Sequence, residues 1–290
     1  MLLFSCQKEI NLDTGTPSGG GNGSGGSGGG SSSGALLIKS VGKTATDSSL
    51  TVYTYDSQNR MSTMTVDDNS MGSPVCTWKK FEYDNIGRVS KITQASVIQS
   101  MPDTAINIIH YPSATAMEMD YAVNTNTMNM MGLTMTTMDS SVFSYISGKL
   151  TSVSVYMNNS IMGTGYYLSS KNDFVYDGTG KVTTLKLYGT TTPGSPLLSM
   201  SDEQFTYGTA FNPTWLPGNV AQKYWIGGMP NATNEAVTRM QVVNSPSATN
   251  GMTLTSTYTL GSNNLPATGV TIQSGGGQST RTVNYTFFYR

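Results

Sequence analysis

Apolar and polar residues alternate through most of this chain in short runs, and the same irregularity interrupts the alternation each time. A run closes on two aromatic residues two positions apart: Tyr53 and Tyr55, Phe81 and Tyr83, Phe143 and Tyr145, Phe174 and Tyr176, Phe205 and Tyr207. Residues i and i+2 of a strand share a face, so each unit lays a pair of rings on one side of a sheet. The next run places its apolar residues three apart and then two apart: Met61, Met64, Val66; Leu150, Val153, Val155; Val182, Leu185, Leu187. That step predicts a bulge near the base of a hairpin, which bends and twists the sheet. A helix would need a sustained 3.6-residue period, and the Thr, Val and Tyr content favours strands.

Between paired runs lies a turn with fixed chemistry. Asp56-Ser57-Gln58-Asn59, Asp84-Asn85-Ile86-Gly87 and Asp177-Gly178-Thr179-Gly180 open with Asp and close with Asn or Gly, and Arg60, Arg88 or Lys181 follows at once. Asp can accept hydrogen bonds from the backbone two residues on, and Asn or Gly tolerates the left-handed conformation that ends such a loop. This predicts a hairpin built on a type I turn with a bulge. The closing tyrosines, Tyr55, Tyr83, Tyr111, Tyr145, Tyr176, Tyr207 and Tyr258, are separated by 28, 28, 34, 31, 31 and 51 residues. A period near 30 marks an array of one supersecondary unit.

The motif resembles the YD repeat of the RHS family, Tyr-Asp-x-x-Gly-Arg. Tyr83-Asp84 through Arg88 matches it in full; Asp177 to Lys181 replaces Arg by Lys, and Asp56 to Arg60 replaces Gly by Asn. The match covers three units well and the rest of residues 41–289 in outline. Large RHS proteins wind many repeats into a shell, and this chain has too few for one. It looks more like the short, repeat-bearing surface lipoproteins of Bacteroidetes. The expected fold is all-β: a meandering antiparallel sheet of hairpins, curved or partly closed, in one domain over residues 35–290.

The N-terminal composition adds a location. "MLLFSCQKE" resembles the end of a bacterial lipoprotein signal peptide, with Leu3, Phe4 and Ser5 standing where the lipobox stands, residues 1–5 as its remnant and Cys6 as the acylated residue. Residues 6–34 then read as a lipid-anchored tether: Ser18 to Gly34 holds ten Gly, six Ser and one Asn. Such a segment has nothing to bury and reaches roughly 30 Å on average. The implied place is the outer membrane, surface-exposed, with membrane lipid as a partner through Cys6. A membrane-spanning barrel is the competing architecture, because it also alternates and ends on an aromatic run such as "TVNYTFFYR". With Cys6 acylated, Cys76 reads as a small buried hydrophobe.

Charge narrows function. The chain carries 16 Lys and Arg against 17 Asp and Glu, only 11% of its residues, so nucleic-acid binding lacks its cations. His110 is the only histidine, which removes most His-dependent catalysis and zinc chemistry, and no cofactor signature is present. The methionines cluster between Met117 and Met138; they suit Cu(I), and equally fill irregular cores. Met117, Met119, Tyr121 and Val123 alternate as a buried strand face would. Glu118 and Asp120 share a strand face, Asp202 and Glu203 do not, and Asp67 and Asp68 fall in a loop; all read as solvated or edge-strand charge.

The longest departure from the repeat, "GTAFNPTWLPGNVAQKYWIGGMPNATNEA", carries Trp215, Tyr224 and Trp225. Exposed, these rings form a stacking platform for sugars; folded over the sheet, they finish its core. The expected function is non-catalytic: a surface-anchored scaffold that binds a glycan or a protein. A role in surface assembly through an open sheet edge is the alternative, and a glycan-active hydrolase a more distant one.

Overall fold

The computed structural model describes residues 35–290 apart from 69–74, 99–100, 131–132, 159–164, 191, 213–222, 226–233, 244–250, 262–263 and 278. Sixteen strands follow one another: β1 (Leu37–Lys43), β2 (Ser48–Tyr55), β3 (Met61–Asp68), β4 (Val75–Tyr83), β5 (Val89–Ile98), β6 (Met101–His110), β7 (Tyr121–Met130), β8 (Leu133–Ile146), β9 (Lys149–Asn158), β10 (Tyr166–Tyr176), β11 (Val182–Gly189), β12 (Leu198–Phe211), β13 (Asn234–Val243), β14 (Met252–Leu260), β15 (Pro266–Gly275) and β16 (Arg281–Tyr289). Each pairs antiparallel with its sequence neighbours, and β1 pairs with β16, so the sheet closes into a barrel. The all-β, single-sheet expectation holds, and closure goes beyond the curved or partly closed sheet. The reason is six residue pairs at the seam, from Leu37 opposite Tyr289 to Lys43 opposite Asn284.

The Asp turns share one rim with the first and last residues of the ring, Leu36 and Arg290, which exchange backbone hydrogen bonds. Asp84 shows how each is built. Its Oδ1 accepts from the backbone N–H of Ile86 (3.1 Å) and of Arg88 (2.9 Å), and its Oδ2 accepts from Arg88 Nε at 2.7 Å. Burial works to raise this carboxyl, but the bonds from Arg88 and the backbone outweigh it and hold it below the usual carboxylate range. Asn59, Gly87 and Gly180 close their turns at φ of 59°, 88° and 86°, the left-handed conformation their positions demand.

The three-then-two step is a bulge on the return strand. Glu82 faces Lys91 while Tyr83 faces Val89, which leaves Ser90 as the extra residue; Ser62, Thr151 and Thr183 occupy the same place opposite the ends of β2, β8 and β10. The hydroxyls of Ser90, Thr151 and Thr183 donate to the carbonyls of Glu82, Ser144 and Val175 across the bulge.

A second device stitches one hairpin to the next. Tyr83 donates its hydroxyl to Met61 O at 2.7 Å, and Arg60 lies over its ring at 4.2 Å from the centroid. Tyr111 does the same with Val89 O and Arg88, Tyr176 with Leu150 O and Lys149, and Tyr207 with Val182 O and Lys181. At the seam Tyr55 bonds Leu37 O under Arg290, which also reaches Asn59 Oδ1. The basic residue after each turn therefore serves two units: its own Asp or backbone, and the next tyrosine.

Register assigns the faces. Tyr53, Met61, Met64, Phe81, Val89, Ile92, Phe143, Leu150, Val153, Phe174, Val182, Leu185 and Phe205 point inward and form one buried cluster near the Asp-turn rim. The outer wall mixes hydroxyl-bearing and charged residues with apolar ones, Trp78, Ile106, Ile108, Tyr121, Val123 and Val142 of β4–β8 among them. On β14 Thr253, Thr255, Thr257 and Thr259 alternate outward, and on β16 Thr282, Asn284 and Thr286 do. Lys80, Glu82 and Lys91 form an outward ion-pair group, and mid-wall Asp173, Lys186 and Asp202 stand in one row.

Several placements differ from expectation. Met117, Glu118, Met119 and Asp120 lie in the loop before β7, not on a strand, because Asp120 N–H returns to His110 O and turns the chain; Met119 is buried and Met117 exposed. Tyr121 and Val123 face outward. Asp67 and Asp68 end β3 rather than sitting in a loop, because both still pair with β2 and β4. Glu203 is a buried charge, 8% exposed, held by two bonds from Arg239 at 2.9 and 3.0 Å. Cys76 is half-buried on β4 and faces outward opposite Asp67, rather than filling the core.

Candidate functional site in the barrel mouth

At the rim opposite the Asp turns the interior becomes polar and opens. A cavity of about 220 Å³ lies against the inner wall, lined by Ser49 of β2, Asp68 of β3, Thr271 and Gln273 of β15, and Arg281 and Tyr285 of β16. A wider recess of about 930 Å³ adjoins it past the Thr44–Asp47 turn, and Gln273 and Arg281 line both.

The sequence builds this cup by alternation. In "RTVNYTFFY" Arg281, Val283, Tyr285 and Phe287 fall on one face, and their partners Gln273, Thr271 and Gly269 on β15 face the same way. Gly42 opposes Tyr285 on β1; a Cβ there would lie 2.9 Å from the tyrosine ring and 2.6 Å from Ser49 Oγ. The ring needs that glycine to lie against the wall. Gly269 serves Tyr258 in the same way, with 2.9 Å to its ring. Tyr285 and Phe287 stack at 6.2 Å, and Tyr258 meets Phe287 at 6.5 Å, so an aromatic strip descends the wall from the cup.

Burial pushes the Tyr285 hydroxyl pKa upward, Asp68 adds to the rise and Arg281 opposes it, so both charges act on one phenol. The phenol stays protonated and can donate. Together the cup offers a flat aromatic face, a hydroxyl donor, a carboxylate, a guanidinium and an amide within one small volume. Asp68 is the one carboxylate among the described residues lining the inner cavity. Paired-carboxylate hydrolysis needs a second. His110 is remote from it: the ring faces outward and stacks on Tyr121 at 4.2 Å.

The rings singled out in the long insertion lie elsewhere. Tyr224 and Trp225 form a short helical turn inside the barrel, where both pack on Phe143, with centroids 5.6 and 5.7 Å away. Lys79 Nζ donates to Trp225 O at 2.6 Å. Desolvation pushes the neighbouring Lys223 amine down to about 8. Trp215 and Cys6 lie outside the described residues. Asp56, Asn59, Arg60, Asp84, Gly87, Arg88, Asp177, Gly180 and Lys181 stand together on the Asp-turn rim, far along the wall from the cup. The cup residues escaped sequence reading because they carry no motif; the parity of "RTVNYTFFY" was the available signal.

No family model matches the sequence, and no curated protein matches it. Among solved structures, a porin-like protein from Bacteroides uniformis is 14% identical, with 87% of this chain and 98% of that chain covered and a TM-score of 0.46. A porin-like protein from Bacteroides vulgatus is 11% identical, with 88% and 99% covered and a TM-score of 0.50. At that identity the likeness to the second is one of fold: a β-barrel of this general form.

Proposed function

We propose that this protein is a non-catalytic β-barrel, held at the bacterial outer membrane by an N-terminal lipid tether, that binds a glycan in its mouth. The cup carries the reading. A sugar ring presents an apolar C–H face and a rim of hydroxyls, and Tyr285 with Asp68, Gln273, Arg281 and Ser49 offers the matching surfaces. The tether rests on the lipobox-like Leu3 to Cys6 and the Gly/Ser run of residues 18–34; on the outer wall, charged rows and threonines alternate with apolar residues such as Trp78, Ile106, Ile108, Val123 and Val142. A sheet-edge assembly role loses its basis, since the closed ring has no free edge.

The test is calorimetric titration of the full chain with neutral and acidic oligosaccharides. Binding by at least one is expected, with Tyr285→Ala and Gln273→Ala each weakening it tenfold or more while Trp225→Phe leaves it unchanged. Heat with no saccharide, or binding indifferent to both cup variants, overturns the assignment.

A further inference from the structure

We infer that the inner face of β6–β8 holds a calcium ion, apart from the glycan cup. Asp103 and Asn107 of β6, Asn124 and Asn126 of β7, and Asp139 of β8 all point inward. Asn107 stands directly opposite Asn124, and Asn124 opposite Asp139. Asn124 spends its amide N–H on Asp139 Oδ2 at 2.9 Å, which leaves the amide oxygen over. That oxygen, Asn126 Oδ1 and Asp103 Oδ1 are each wholly buried and accept no hydrogen bond. Every one of these orphans is an acceptor. A buried acceptor costs about 1–3 kcal/mol when nothing satisfies it, and one positive ion satisfies several at once.

The spacing suits a hard cation. Asn124 and Asn126 sit i and i+2 on a strand, about 6.8 Å apart, and cross-strand neighbours stand about 5 Å apart. Oxygens on opposite sides of calcium are separated by about 5 Å, at 2.3–2.6 Å each from the ion. Asn124, Asn126 and Asp139 can therefore surround one ion, with Asp103 diagonal to Asn126 beside them. No group of three His, Cys, Asp or Glu side chains gathers among the described residues; the ligand set here is completed by amide oxygens, which suit a hard cation such as calcium rather than zinc or copper.

The experiment is equilibrium dialysis of the full, chelator-treated chain against radioactive calcium, with the melting temperature followed in parallel. One ion per chain is expected, with a dissociation constant in the range of about 0.1–1 mM common to extracellular modules, and a rise in melting temperature on saturation. Asp139→Asn should abolish binding, and Asn126→Asp, which adds a charge without removing an oxygen, should tighten it about tenfold. A wild-type chain that binds no calcium overturns the inference. So does binding that neither variant changes. If Asp139→Asn does not fold, the Asn126→Asp arm decides alone.

Discussion

Arg88 touches three structures at once. Its guanidinium pairs with Asp84 at 2.7 Å, covers the Tyr111 ring at 4.1 Å, and donates to Ser113 O and Ala116 O, so it fixes its own turn, the next tyrosine and the 111–120 loop. Only 10% of its side chain is exposed. Arg60 makes the same turn contact with 31% exposed. Removing one partner of a buried pair costs about 3–5 kcal/mol, and an exposed pair about 0–1. Arg88→Ala should therefore lower stability in urea unfolding by about 3 kcal/mol and Arg60→Ala by about 1, with Arg88→Lys failing to restore the loss because an ammonium lacks the planar fork. Equal losses in the two alanine variants would show that burial does not grade the turns. This turn chemistry was legible in the sequence, because Asp, Gly and a basic residue at fixed offsets leave few other structures to build. The cation's second role, over the tyrosine of the next unit, was not legible: it joins residues 23 apart in sequence through packing that no local rule describes.

At the scale of the hairpin, the tyrosine stitch makes the fold sensitive to alkali. Burial holds Tyr111 and Tyr207 up at about 12, and raises Tyr55 and Tyr176 as well. A phenol whose folded pKa exceeds its unfolded value of about 10 contributes stability that is complete below pH 10 and lost as pH climbs from there through the folded value. Ultraviolet titration should show a class of tyrosines that ionise only with unfolding, above about pH 11. Tyr176→Phe, which removes the bond to Leu150 O, should advance that transition; a smooth titration of all tyrosines near pH 10 would refute the stitch. The rings themselves were readable as pairs on one face. Their partners were not; Tyr145 was readable as a ring of the repeat, although the Ser147–Gly148 turn follows its unit in place of an Asp turn.

At the scale of the whole molecule, the proposed tether and the mixed outer wall make different predictions about membrane attachment. A Cys6→Ser variant of the full chain should leave the membrane in a carbonate wash, and palmitate labelling should vanish with it. Retention of the variant in the membrane would mean that the wall itself spans lipid. Strand content was legible from the repeat as far as β12. The last four strands carry no motif, and closure depends on them, so the ring could not be read from units that look alike; nor could the cup, which those strands build.

That seam also sets the order in which the molecule can assemble. Fifteen of the sixteen strand contacts join neighbours along the chain, and one joins residues 37–43 to 281–289. Local hairpins close cheaply and early, while the last contact bears the entropy of a loop of nearly the whole domain. Until it forms, β1 and β16 are both bare edges, open to any other strand in reach. The interval between finishing the hairpins and joining the ends is then the period in which this protein is most exposed to aggregation, and chain concentration during that interval becomes a condition of its folding.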